Sequence, residues 1–211
     1  AIEKLIINSD VEYNVIGGVA PRGMCGTALI DLVAELLRVG AIDSTGRLLS
    51  GDEAPAHTPD AIKARLVEGE RGMEFVIVRA EQTQIGGPVV LTQRDIRELQ
   101  LAKGAIAAGA AILLKEFGVE PQELGHILLA GAFGNFIRRN MAKRIGLLPD
   151  VPTDKILYIG NAAGAGSRMA LLSRKCKEEA NRISERTEYL ELAGRADFQQ
   201  EFTTAMMFPE A

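Results

Sequence analysis

Short apolar-rich runs over Lys4–Asn8 and Glu12–Ile16, around a Ser9-Asp10 turn, predict a hairpin. From Gly23 to Gly40 the spacing changes to that of a helix. Leu29, Val33, Leu36 and Leu37 share one face, and Asp31, Glu35 and Arg38 fall on another, expected to be solvated or paired. Gly40 suits the left-handed end of that helix. Residues 41–57 read as turn and loop, 59–67 as a short helix, and 72–80 and 88–92 as strands joined at Gly86-Gly87. Thr92 is a good N-cap for a long helix that ends near Gly118. Its apolar stripe is expected to run Ile96, Leu99, Ile106, Leu113, Phe117, with Lys103 and Ala110 in register.

Strand and helix then alternate. Strands are predicted at 125–131, 155–160 and 188–192 (EYLEL), and helices at 140–148, 162–172 and 173–187. Such alternation argues for βαβ units, a largely parallel sheet, and a ligand crevice beyond the carboxyl ends of its strands. The fold class expected is therefore α/β.

Two glycine-rich turns follow apolar strands: AGAFGN at 130–135 and GNAAGAGS at 160–167. In a parallel sheet both open at one edge, where Gly131, Ala132, Phe133, Gly134, Asn161 and Gly164 would present backbone N–H groups and little side chain to an anion or nucleotide. The plainer reading is that these glycines serve turn geometry and helix–sheet packing. Neither turn is a P-loop, because no Gly-Lys-Ser/Thr follows. Gly164-Ala-Gly166-Ser-Arg-Met169 carries two glycines of a dinucleotide fingerprint, but Met169 stands where a small residue is needed, and only Glu185 or Glu188 lies near the ribose-binding spacing.

Lys103 lies on a face that should be buried, so it either snorkels to water or reaches an anionic partner, with Gln100 one turn earlier. Gly104, Ala107, Ala108 and Gly109 around it leave room for another backbone to approach. Asp43-Ser-Thr-Gly46 echoes an acidic phosphate loop, yet only Ala41-Ile42 precede it, so it reads as a turn. Cys25, near a helix start, reads as a small buried hydrophobe or a dipole-favoured thiolate. His57 and His126 lack metal-ligand spacing, and no catalytic triad can be assembled.

Bulk numbers narrow the class. The chain has 211 residues, is 47% hydrophobic and 25% charged, and carries a net charge of −4 without any Trp, which disfavours nucleic-acid and anionic-membrane partners. Two cysteines and no CxxC exclude a zinc or iron–sulfur site built from this chain's own thiols and fit a reducing, cytoplasmic setting.

Five stretches in order, GMCGTALIDLVAELLRVGAID, LTQRDIRELQLAKGAIAAGAAILL, ILLAGAFGNFI, RIGLLPDVP and ILYIGNAAGAGSRMALLS, resemble the C-terminal part of the reductive activators of corrinoid proteins. The resemblance runs over nearly the whole chain. It implies a ribonuclease-H-like half of an actin-like ATPase fold, related to sugar kinases and heat-shock ATPases, with a mixed, mainly parallel sheet flanked by helices. It also implies one compact unit over residues 1–211, with sub-regions 1–91 and 92–211. On this resemblance Leu129–Gly134 is the adenosine motif, and Gln100 and Lys103 lie on the helix beside it. The implied parent uses ATP with Mg²⁺ and a 2Fe-2S cluster on an N-terminal domain to reduce cob(II)alamin to cob(I)alamin on a corrinoid protein partner. The family's acidic phosphate loops and cluster cysteines are not in this sequence, so it reads as a piece of that parent with no ATP hydrolysis of its own. Three matters stay open: a homodimer, a non-enzymatic docking module on the same fold, and a dinucleotide-binding enzyme.

Overall fold

A computed structural model describes residues 1–210, apart from the side chains of Ala132, Phe133 and Asn135. β1 (Ile2–Ile7) and β2 (Val11–Val15) form the expected antiparallel hairpin. α1 (Gly26–Arg38) lies against β1 and buries Ala28, Leu32, Val33 and Leu36 in the core. α2 (Asp60–Lys63) is shorter than expected. The end of the predicted 59–67 helix instead becomes β3 (Leu66–Gly69), which pairs with β4 (Gly72–Val78), and β4 pairs with β5 (Val89–Thr92), all antiparallel. Phe75, Ile77 and Leu91 carry this sheet into the core.

α3 (Gln93–Phe117) begins and ends where the sequence says. The Thr92 hydroxyl accepts from the Asp95 N–H at 3.2 Å, the Asp95 carboxylate accepts from the Thr92 N–H at 2.9 Å, and Gly118 closes the helix at φ 62°. The buried face is another matter. Ile96 and Leu99 are inside as expected, but the stripe continues through Gln100, Lys103, Gly104, Ala108 and Ile112. Ile106, Leu113 and Phe117 are exposed, Phe117 at 78%. The small residues decide the face. They let α8 (Ala196–Met206), which follows α4 to α7 in the chain, lie close enough that a Cβ on Gly104 would sit 3.3 Å from the Met206 backbone nitrogen.

β6 (Ile127–Ala130), α4 (Gly131–Phe136), α5 (Arg139–Arg144), β7 (Ile156–Gly160), α6 (Ala162–Leu172) and α7 (Arg174–Arg186) complete the chain up to α8. β6 and β7 are parallel, with Ile127 opposite Ile156 and Ala130 opposite Gly160. The α/β class stands, but the sheet is not mainly parallel: among the described residues there are three small sheets, and only β6–β7 is parallel. EYLEL forms no strand: it pairs with none among the described residues, and Tyr189 is exposed. The apolar core runs from Ile2 to Phe208 and crosses the 91/92 boundary.

Asp31 and Glu35 are paired, one of the two outcomes the helical wheel left open, but they are buried and not on a solvated face. Both are 2% exposed. Asp31 accepts from the Leu5 N–H at 3.4 Å and from Arg138 Nε at 2.8 Å, while Arg138 also donates to the Leu5 carbonyl. Glu35 accepts from the Ile7 N–H at 3.2 Å, from Arg38 at 2.7 Å and from Arg144 at 3.4 Å, while Arg38 donates to the Ile7 carbonyl. Carboxylate and guanidinium together satisfy the outer edge of β1, as a neighbouring strand would. Burial pushes the Asp31 carboxyl above its ordinary pKa, and the Arg138 hydrogen bond opposes that shift.

Candidate functional site

The parallel register of β6 and β7 brings both glycine turns to one edge. Each strand leaves the sheet through a glycine of positive φ, Gly131 at 85° and Gly160 at 67°, a conformation that side-chain-bearing residues avoid. Beyond them the glycines divide by role. Nothing lies within 4 Å of where a Cβ on Gly131 would be, so the backbone faces open space. Gly134 is buried, and its Cβ would stand 3.2 Å from the Leu129 carbonyl carbon, so here smallness lets α4 fold back onto β6. Asn161 caps α6 by accepting from the Gly164 N–H at 2.9 Å, and a Cβ on Gly164 would strike that amide at 2.7 Å. Tyr158 on β7 donates to the Ile137 carbonyl and ties the exit of α4 to the same edge. The expected contributions of Ala132 and Phe133 fall on side chains outside the described residues.

Gln100 and Lys103 are held by other partners. Lys103 is 1% exposed, so it does not snorkel. Its ammonium donates to the Met207 carbonyl and lies 4.9 Å from the centre of the Phe208 ring, and burial lowers its pKa from 10.5 to about 8. Gln100, 2% exposed, donates to the Thr45 carbonyl at 3.0 Å and the Met206 carbonyl at 2.9 Å, and accepts from Arg97 at 2.7 Å. Gly46, at φ 84°, gives way to it, since a Cβ there would meet Gln100 Oε1 at 2.5 Å. The Asp43–Gly46 segment is a closed turn: Asp43 accepts from the Thr45 N–H and hydroxyl and from the Arg47 N–H, which leaves no phosphate cradle.

Sequence reasoning missed the third component, Met206–Pro209. Its signals were present as Gly46, Gly104 and Gly146, three glycines that open space around Gln100 and Lys103, and as Phe198 and Phe202 at helical spacing. Two clefts share Gly146, over which Pro209 packs. One of about 560 Å³ is lined by Ala107, Ala111, Leu114 and Gly146. The other, of about 860 Å³, is lined by Ser44, Arg144, Gly146 and Pro209.

A parallel strand pair with both glycine turns at one edge, in a chain that also carries a long capped helix, fits the ASKHA class, the sugar-kinase, heat-shock-ATPase and actin fold. Within it, the sequence model described as the C-terminal domain of RACo, the ASKHA domain, matches residues 1–211, and the chain belongs to that family. It is 38% identical over 210 residues to the corrinoid activation enzyme RamQ of Eubacterium limosum, covering 99% of this chain and 35% of that protein. It is 28% identical over 102 residues to the [Co(II) methylated amine-specific corrinoid protein] reductase of Methanosarcina barkeri, covering 48% of this chain and 19% of that one. The solved structure of a reductive activator for a corrinoid, iron–sulfur protein superposes with a TM-score of 0.84 at 37% identity, over 100% of this chain and 32% of the other. The chain thus spans about a third of the length of the relatives it matches. Among the described residues no helix is long and apolar enough to cross a membrane.

Proposed function

We propose that this chain is the nucleotide-responsive part of an ATP-dependent activator that returns a corrinoid protein from the cobalt(II) to the cobalt(I) state. The observation that carries the reading is similarity over the whole chain, at 38% and 37% identity, to two proteins named for corrinoid activation. The residues at the β6–β7 edge fit a nucleotide: Gly131 leaves open space against the backbone, and the first N–H groups of α6 point out of the same edge. Gly131 and Gly134 would let the nucleoside lie along the turn after β6. Asn161 holds α6 in place by its cap, and Gln100 and Lys103, enclosed against Thr45 and Met206–Phe208, would reach a nucleotide from α3 only by exchanging those partners. Bound ATP with Mg²⁺ supplies binding energy that differs between two arrangements of the protein. A 2Fe-2S cluster held elsewhere in the polypeptide would supply the one electron that takes cobalt(II) to cobalt(I) on the corrinoid protein. The two free cysteines suit the reducing cytoplasm this chemistry needs.

The test uses the full-length polypeptide and a corrinoid protein in the cobalt(II) state, with cobalt(I) followed by its absorption. Cobalt(I) is expected to form only with ATP present, and Gly131→Val to abolish that dependence. Equal reduction with and without ATP would overturn the reading.

A further inference from the structure

Arg138 stands where the open edge meets the core. Beyond β6 the chain passes through the glycine turn and the 6 residues of α4, and the exposed Phe136 ends that helix. Three consecutive residues then fasten it. The buried Ile137 gives its carbonyl to the Tyr158 hydroxyl of β7. Arg138 donates through Nε to Asp31 of α1 at 2.8 Å, and through a terminal nitrogen to the Leu5 carbonyl of β1. Arg139 lies over the Tyr158 ring, 4.4 Å from its centre. α5 then enters the core with Met141 and Ala142. Neither local structure nor net stability accounts for an arginine here. Arg138 is the N-cap of α5, where Ser, Thr, Asp or Asn would accept from the first N–H groups, and a guanidinium has no acceptor to offer. Burial raises the Asp31 pKa despite the guanidinium beside it, so the pair does not recover what the carboxylate loses on leaving water. Removing one partner is costly because the other is left stranded, yet the intact pair adds little over apolar side chains of the same size. What its rigid fork does supply is a fixed placement of one element against another.

We propose that Arg138, held by Asp31, is a positioning residue for the nucleotide: it fixes the exit of the glycine turn to β1 and α1, and so keeps the open backbone at Gly131 where a nucleoside can lie along it. This rests on the reading above, which places the nucleotide along that turn. Arg138 acts through the turn and needs no contact with the ligand. Fewer than two helical turns separate Gly131 from the clamp, so a shift at the exit is felt at the entry. Tyr158 ties the same exit to β7, which sets the turn against the strand pair and the core together.

The experiment follows cobalt(I) formation by the full-length polypeptide over a range of ATP concentrations, with urea unfolding of the same samples. It compares wild type, Arg138→Gln, Arg138→Lys, and Arg138→Gln combined with Asp31→Asn. The KM for ATP is expected to rise about tenfold in Arg138→Gln, as a turn in its competent place about one-tenth of the time requires. The rate at saturating ATP should stay within about twofold of wild type. The double variant, which no longer strands a carboxylate, should regain stability without regaining the KM. Arg138→Lys keeps a cation beside Asp31 but not the fork, so it should fold and still show a raised KM, and it decides alone if Arg138→Gln does not fold. An unchanged KM in the folded single variants, or a KM that returns with stability in the double variant, overturns the positioning role and leaves the nucleotide reading in place. Cobalt(I) formation by the wild type that does not depend on ATP overturns both.

Discussion

Around α3 and α8 the side chains are enclosed, whereas along β6–β7 and the helices after it they are open. In the first region two polar side chains, Gln100 and Lys103, sit in the core and donate to backbone carbonyls, and glycines thin the walls to admit them. In the second, α6 and α7 bury no residue, and Leu171 is 84% exposed. Caps and strand pairing, not packing, hold that edge: the Asn161 cap, the parallel ladder and the Tyr158 bond to the Ile137 carbonyl. An edge kept in place by backbone bonds can expose bare main chain to a ligand. A packed core cannot do so without opening.

Stability measurements break or sharpen this contrast. The largest effect is expected from Phe75→Ala, which removes a fully buried ring and should cost about 3–5 kcal/mol in urea unfolding. Leu172→Ala, on the open side, should stay within about 0.5 kcal/mol. Similar losses at the two sites would erase the distinction. Next comes Arg138→Gln, which strands the Asp31 carboxylate and frees the Leu5 carbonyl. A loss of about 3 kcal/mol is expected, in the range for breaking a buried pair, and Asp31→Asn in the same chain should restore part of it.

The smallest effect is a pH slope. Lys103 titrates at about 8 in the folded chain, against 10.5 for an ordinary lysine. Between those values the unfolded chain holds a proton that the folded one has released, so unfolding free energy rises with pH there and is flat below. Lys103→Met should remove that rise, visible as a changed difference between the two chains across the window. A parallel pair of curves would mean that the ammonium is not desolvated.

Strand ends and helix ends were legible from local signals in both regions. Apolar runs ending in glycine marked β6 and β7, and the capping residues marked both ends of α3, because such features act within a few residues. The enclosed region was read less well. Ile106, Leu113 and Phe117 looked like a core stripe, but small residues on the adjoining face admitted α8 and turned the helix. Asp31 and Glu35 could be read only as solvated or paired, and their burial was hidden because Arg138 and Arg144, which help pair them, are more than a hundred positions away. EYLEL has strand composition without a strand to pair with. At the candidate site, the sequence marked the glycine turns and Lys103, while the Met206–Pro209 segment that covers Lys103 left only indirect signals, glycines whose purpose tertiary contact alone reveals.

The most direct test of the central claim is residue-resolved amide exchange of the full-length protein with and without ATP and Mg²⁺. The account predicts slower exchange at Gly131–Gly134 and Asn161–Gly164, with the rest of β6–β7 little changed. Unaltered exchange at both glycine turns under saturating ATP would contradict it.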